Sequence, residues 1–175
     1  MISVLGFGIL NLRFCFVCLG NICRSPLAEG VFKQLAAQAQ WECHVESAGT
    51  GGWHVGEAPD ARSQRIAQAH GLRLTSRAQQ FRAADFARFD HILALDEEIA
   101  ADLRALARTP AELNKIRLLR EYDPRANGDL NVPDPYYGGL DGFEGVYEMI
   151  ERSCRELIQR FSDSAIQPES ESLSH

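Results

Sequence analysis

Leu12-Arg13-Phe14-Cys15-Phe16-Val17-Cys18-Leu19-Gly20-Asn21-Ile22-Cys23-Arg24-Ser25-Pro26 is the stretch on which the reading of this chain turns. Its first half is an apolar run of strand length, rich in aromatic and β-branched types, and reads as a buried first strand. Gly20 and Asn21 follow, the two residue types that best tolerate positive φ, so the strand runs into a tight turn. Ser25-Pro26 then reads as a helix start, Ser at the N-cap and Pro at the first helical position. Strand, turn and helix in immediate succession form the opening unit of an α/β domain.

Outward from this unit the same alternation continues. The first helix is expected to reach about Gln40, and Cys43 to Ser47 reads as a second strand. Residues 49–59 carry four glycines and Pro59 and read as a loop, after which Asp60 caps a helix that stops at Gly71. His91 to Leu95 forms a third strand, Glu97 to about Leu106 an acidic-headed helix, and Ile116 to Leu119 a fourth strand. A long loop from Arg120 to Gly139 precedes the final helix. There Phe143, Val146, Ile150, Cys154, Leu157, Ile158 and Phe161 recur at helical spacing and define one apolar face. The expected core domain spans residues 11–161. Residues 1–10 are an N-terminal extension, and the Ser-rich segment 162–175 reads as a disordered tail.

Composition excludes several function classes. At 175 residues and 45% apolar content the chain suits one domain with its own core. A net charge of −6 argues against a nucleic-acid-binding module. The apolar stretch from Met1 to Val17 is broken by Asn11 and Arg13 and lacks a basic start and a small-residue cleavage site. It is read as neither an export signal nor a membrane span, which needs about 20 apolar residues. Five cysteines, an odd number, read as reduced thiols rather than a disulfide framework. Cys15 and Cys18 have metal-ligand spacing, but no second pair follows, so no metal is expected.

Cys18-x5-Arg24 carries the chemical signal, and spacing alone is weak: this composition yields about 0.5 such matches by chance. The chain supplies a false positive in Cys154-x5-Arg160, which lies within the last helix without a preceding strand or a glycine. Context distinguishes Cys18. Backbone N–H groups of residues 19–24 are expected to wrap an anion at a helix start, with the Arg24 guanidinium gripping two of its oxygens. That same field favours a thiolate at Cys18. The reading is a phosphate cradle with a nucleophile at its floor. Phosphoryl transfer from an aryl ester also needs an acid, since the leaving phenol has a pKa of about 10. Asp134 is the candidate, between Pro133 and Pro135, which stiffen its loop, with Tyr136 and Tyr137 as an aromatic wall.

With these residues in view, the chain resembles the low-molecular-weight protein tyrosine phosphatase family. The resemblance rests on Val17 to Pro26 and Asp134-Pro135-Tyr136-Tyr137-Gly138, with Ser47-Ala48-Gly49-Thr50, Asp85-Phe86, Phe89-Asp90 and Asp96-Glu97 between them. It implies a three-layer α/β fold: a four-stranded parallel sheet of order 2-1-3-4 with helices on both faces. It further implies hydrolysis of phosphotyrosine in proteins through a cysteinyl-phosphate intermediate. Cys18 would be the nucleophile, Arg24 the transition-state ligand and Asp134 the general acid and base. Leu19, Gly20, Asn21, Ile22 and Cys23 would join Arg24 in binding phosphate. Asn21 and Ser47 would hold the loop in shape, Ser25 would assist the thiolate as leaving group, and Cys23 would pair reversibly with Cys18 under oxidation. Trp53 would line the cleft mouth with Tyr136 and Tyr137; on its own, Trp53 reads equally as a loop aromatic packed on a helix. Cys43, Cys154 and His91 are expected to be structural.

By the same resemblance the enzyme needs no cofactor or metal. It would be a cytoplasmic monomer acting on phosphotyrosine-containing proteins, a tyrosine kinase among them, without nucleic-acid or membrane partners. Inorganic phosphate and other oxyanions would inhibit it. Other readings stand beside this one. A thiol-dependent arsenate reductase of the same fold would need further cysteines near the third strand, and residues 44–153 contain none. A protein arginine phosphatase typically has Thr where this loop has Ile22 and lacks the tyrosine pair. A non-catalytic phosphate-binding module would need neither the thiol nor the acid.

Overall fold

In the computed structural model, which describes residues 11–166, β1 (Arg13–Cys18) lies at the centre of a parallel sheet. Its neighbours are β2 (His44–Gly49) on one side and β3 (His91–Ala94) on the other, with β4 (Ile116–Leu118) beyond β3, giving the order β2-β1-β3-β4. Both the four-stranded parallel sheet and its order match the expectation.

Strand periodicity explains how the sheet is covered. Phe14, Phe16 and Cys18 point to one face with Leu93, and Cys15 and Val17 point to the other with Ile92 and Ala94. The first face is buried by α1 (Arg24–Gln38), α2 (Ala61–Ala69) and α5 (Leu140–Ile166). The second is covered by α3 (Glu97–Leu106) and a 3₁₀ turn at Ala83–Ala87 that delivers Phe86. The remaining helix is the short α4 (Pro110–Leu113). Phe14, Phe16, Phe32, Phe86, Phe89 and Phe143 are all fully buried, each contributing roughly 1.5–3 kcal/mol relative to an exposed ring.

The face of α5 is the one its spacing announces: Phe143, Val146, Ile150, Cys154 and Leu157 are buried, and Phe161 packs against them. His91 is structural, its ring stacked 5.0 Å from Phe14 and edge-on to Phe161. Burial holds its pKa below the usual histidine value, so it packs as a neutral ring.

Several boundaries differ from expectation. Ser25 is not the N-cap of α1: the helix begins at Arg24, Cys23 stands at the cap, and no side chain closes that end. The Ser25 hydroxyl is used inside the loop instead. β2 runs on to Gly49, because Cys18 pairs with Gly49 at the end of the β1 ladder. The long loop after β4 opens with a 3₁₀ turn, Leu119–Tyr122. α5 continues to Ile166, into the segment 162–175 that composition marks as a tail. The N-terminal extension 1–10 and residues 167–175 lie outside the described residues. No helix among the described residues is long and apolar enough to cross a membrane.

Candidate active site

β1 ends at the carboxyl edge of the sheet and delivers Cys18 there with 3% of its surface exposed. The chain then turns through residues 19–23 into α1. Of the two turn residues, only Asn21 adopts the left-handed conformation, at φ +57°. Gly20 stays outside that region, so its need is for space: a Cβ there would lie 3.0 Å from the His54 ring.

Asn21 offsets its strained backbone with a buried side chain that uses both ends of its amide. Its Nδ2 donates to Ser25 Oγ at 2.8 Å and to Ser47 Oγ at 3.0 Å, while its Oδ1 accepts from the Gln79 backbone N–H at 2.9 Å. Ser47 in turn donates to Glu29 Oε2 at 2.5 Å, and Lys33 Nζ holds the other Glu29 oxygen at 2.6 Å. The loop is thus braced by β2, α1 and residue 79.

Ser25, fully buried, lies 2.9 Å from Cys18 Sγ and 3.3 Å from the Ala48 carbonyl. Its oxygen already accepts from Asn21, and it has one proton to give. A thiolate at Cys18 would take that proton, at the shorter distance.

Arg24 is 3% exposed. Its Nη1 donates to Asp96 Oδ2 at 2.5 Å and to the Val132 carbonyl at 2.9 Å. Its Nη2 stands 3.6 Å from Asp134 Oδ2. Burial works against the guanidinium charge, but Cys18, Asp96 and Asp134 outweigh it and raise its pKa, so the cation is secured. Asp96 also caps α3 by accepting from the Ile99 N–H at 2.8 Å, which ties the Arg24 orientation to a helix terminus.

Val132 is fully buried and donates its N–H to the Leu95 carbonyl at 2.8 Å, stitching the start of the acid-bearing loop to the end of β3. Two residues on, Asp134 is 44% exposed at its side chain, and its Oδ1 accepts from the Tyr136 N–H at 3.1 Å. Tyr136 and Tyr137 stand edge to face, ring centres 5.0 Å apart.

These elements enclose a cleft of about 240 Å³ that brings together Cys18, Arg24, Asp134, Trp53, Tyr136 and Tyr137. Trp53 is 73% exposed at its rim. Cys23 also lines the cleft; burial, then Asp60 and the Cys18 and Asp134 charges, push its thiol up to about 12. Ser47 lies behind the loop, joined to it by the Asn21 side chain. Cys154 is buried in the α5 core and Cys43 is half-buried at the opposite end of the sheet, away from the cleft.

Sequence reasoning gave no role to four contributors, of which Asp96 appeared only within a family-like segment. Asp96 and Glu29 act through contacts with no local signature, and His54, which lines the cleft with Nδ1 on Glu57 at 2.8 Å, follows Trp53 in an unremarkable loop. Arg62 is the fourth, its Nη1 reaching the Tyr136 carbonyl at 2.8 Å from α2. Among the described residues no three His, Cys, Asp or Glu side chains are grouped to hold a metal ion.

A tight turn at the carboxyl end of a parallel sheet that sets a thiol and a buried guanidinium on one cleft is the arrangement of a phosphate-handling α/β enzyme. The chain belongs to the low molecular weight phosphotyrosine protein phosphatase family, whose model matches residues 13–167. It is 50% identical over 152 residues to the low molecular weight protein-tyrosine-phosphatase of Streptomyces coelicolor, covering 85% of this chain and 93% of that one. Among solved structures it is similar to a protein tyrosine phosphatase from Entamoeba histolytica, at 32% identity and TM-score 0.83, with 87% of this chain and 98% of that one covered. It is also similar to the Drosophila arginine phosphatase, at 36% identity and TM-score 0.81, with coverages of 86% and 98%.

Proposed function

We propose that this enzyme hydrolyses phosphotyrosine in proteins through a cysteinyl-phosphate intermediate. The observation that carries the reading is the convergence of Cys18, the Arg24 guanidinium and the Asp134 carboxyl on one cleft, with Asp134 3.6 Å from Arg24.

The Cys18 thiolate attacks phosphorus, and the bond from phosphorus to the phenolic oxygen breaks. Asp134 gives its proton to that departing oxygen. Arg24 and the backbone N–H groups of residues 19–24 bind the three equatorial oxygens, strongest where charge spreads over them. Water then attacks the phosphocysteine, Asp134 accepts its proton, and the sulfur leaves as a thiolate that takes the Ser25 hydrogen bond. Asn21 and Ser47 keep the loop in register, and Trp53, Tyr136 and Tyr137 flank the incoming aromatic ring. Free phosphate and other oxyanions compete for the same cradle. Cys23 is proposed as a thiol that traps an oxidised Cys18 as a disulfide. Five thiols and this substrate class support a reducing, cytoplasmic setting.

Similarity to an arginine phosphatase raises a second reading, phosphoarginine as substrate. Ile22 on the cleft wall and the paired tyrosines favour the aromatic substrate. The test measures phosphate release from phosphotyrosine and phosphoarginine peptides, for wild type and Cys18→Ser, with and without chelator. The reading expects turnover of phosphotyrosine that survives chelation and vanishes in Cys18→Ser while vanadate still binds. Preference for phosphoarginine, or full activity in Cys18→Ser, refutes it.

A further inference from the structure

The first turn of α2 touches both halves of the cleft. On one side it holds the anion loop: the Asp60 N–H donates to the Ile22 carbonyl at 2.8 Å, and Ser63 Oγ donates to the Cys23 carbonyl at 3.1 Å. On the other it holds the acid-bearing loop. Arg62 Nη1 donates to the carbonyls of Tyr136 at 2.8 Å and Gly138 at 3.1 Å.

Arg62 is itself fixed with care. Asp60 Oδ1 accepts from its Nε at 3.0 Å and Oδ2 from its Nη2 at 2.9 Å, a two-point grip on the guanidinium. The plane lies 4.6 Å from the Phe143 ring centre and 5.6 Å from that of Tyr136. One guanidinium thus meets a carboxylate, two carbonyls and two aromatic rings. A lysine amine, a compact point charge, cannot serve all of these directions.

The acid-bearing loop depends on this contact. Among the described residues, the hydrogen bonds that reach 133–138 from another element are the two from Arg62, while Gly139 accepts from the Gly142 N–H of α5 at 3.1 Å. The loop is otherwise held at its entry by Val132, by its own turn, Gly138 N–H to Pro135 carbonyl, and by the longer 3.6 Å ion pair of Asp134 with Arg24. Tyr136, whose carbonyl Arg62 grips, is also the residue whose N–H holds the Asp134 carboxylate. Contact therefore passes from the anion loop through Asp60 and Arg62 to the Tyr136 peptide and on to Asp134.

We infer that Arg62 is a positioning residue that sets Asp134 at a fixed distance from the phosphate cradle. This rests on the reading of Asp134 as the acid. Arg62 touches neither phosphate nor leaving group; it acts through the loop it tethers. A carboxyl displaced by about 1 Å loses on the order of 100-fold in proton transfer, so partial loosening suffices for a measurable effect.

The experiment is a double-mutant cycle in the full chain, Arg62→Met and Asp134→Asn singly and together. It is read as kcat/KM across aryl phosphates from phenyl phosphate to 2,4-dinitrophenyl phosphate. For Arg62→Met we expect a loss of about tenfold with phenyl phosphate and under about twofold with the dinitrophenyl ester, whose leaving group needs no proton. Adding Arg62→Met to Asp134→Asn should then cost under about twofold for every ester. A loss independent of leaving group, or losses that multiply in the double variant, overturns the inference. If Asp134→Asn alone shows no dependence on leaving group, the reading of Asp134 as acid fails instead, and this inference with it. Thermal unfolding and phosphate binding establish that the variants are folded. Should Arg62→Met fail there, Arg62→Lys keeps the stem and the charge without the fork and is judged by the same criteria.

Discussion

Replacing Ser25 by Ala removes one hydroxyl from a fully buried position and leaves the sulfur 2.9 Å away without that partner. The size of the effect follows from the contacts. A hydrogen bond to a charged group contributes about 1.5–3 kcal/mol. That corresponds to roughly 10–100-fold in a rate where the charge is fully developed. In the proposed mechanism the sulfur carries full charge when it departs from phosphorus in the second step. In the first step the sulfur gives up its charge to phosphorus, so loss of the hydrogen bond leaves the attacking sulfur more nucleophilic and costs this step little. Hydrolysis of the phosphoenzyme should therefore slow by about 10–100-fold, while kcat/KM, which reports the first step, falls much less. Rapid-quench measurement with p-nitrophenyl phosphate should show a burst of nitrophenol equal to the enzyme concentration, followed by slow turnover. Phosphocysteine should accumulate and be recoverable after acid quench. Asn21 keeps its bonds to Ser47 and Gln79, so the loop should survive, and vanadate affinity should change little. A variant without a burst, whose kcat/KM falls as far as kcat, refutes the assignment of Ser25 to the departing thiolate.

Two further predictions concern thiol chemistry and acid stability. Mild peroxide should convert Cys18 to the sulfenic acid, which condenses with the Cys23 thiol to a disulfide and water; dithiol should restore wild type but not Cys23→Ser held in peroxide for long periods. Because burial pushes Cys23 up to about 12, its thiolate is scarce at neutral pH, so disulfide formation should accelerate roughly tenfold per pH unit between 7 and 9; a flat profile or equal recovery of both proteins excludes Cys23 as the trap. Asp123, fully buried at its side chain, binds Arg152 through two bonds of 3.0 and 3.1 Å and Arg120 through one of 3.2 Å. Asp123→Asn should cost about 3 kcal/mol, the low end for breaking a buried pair, since Arg120 keeps Asp129 and the Asn131 carbonyl. Although burial opposes it, the Arg152, Arg125 and Arg120 contacts hold the Asp123 carboxyl below the usual carboxylate range. Its contribution is present above the unfolded pKa and lost as pH falls through the lowered native value, so urea midpoints of the variant should decline less steeply at acid pH.

What could be read in the chain was what lies close together in it. Cys18 to Arg24 is a contiguous loop, and Asp134 announces itself through flanking prolines and a tyrosine pair. The sheet order was carried by family resemblance, and the apolar runs of β1 and β3 agreed with it. Ser25 shows how local chemistry misleads: Ser before Pro has the chemistry of a cap, yet its hydroxyl has a stronger claimant in Cys18. Asp96 is 72 residues from the guanidinium it holds, and Arg62 is 74 from the Tyr136 carbonyl, so neither pairing leaves a trace in spacing. The end of α5 was hidden by composition, since Ser162, Asp163 and Ser164 are poor helix formers that follow a well-buried face.

The central strand is also the earliest in chain order of the four described strands. β1 pairs with β2 within about thirty residues, but its other edge waits for β3, where Phe14 meets His91. Arg24 finds Asp96 later still, and Val132 later again. On the ribosome, then, a chain that has emerged only through α1 carries Cys18 and Arg24 without the β3, Asp96 and Val132 contacts that fix them in the folded protein. Arg24 can gain its last hydrogen-bond partner only once residue 132 has left the exit tunnel. Parallel pairings of such long sequence separation form slowly. In the order of synthesis the Arg24 contacts are therefore completed late, after strands from both sides of β1 have been made.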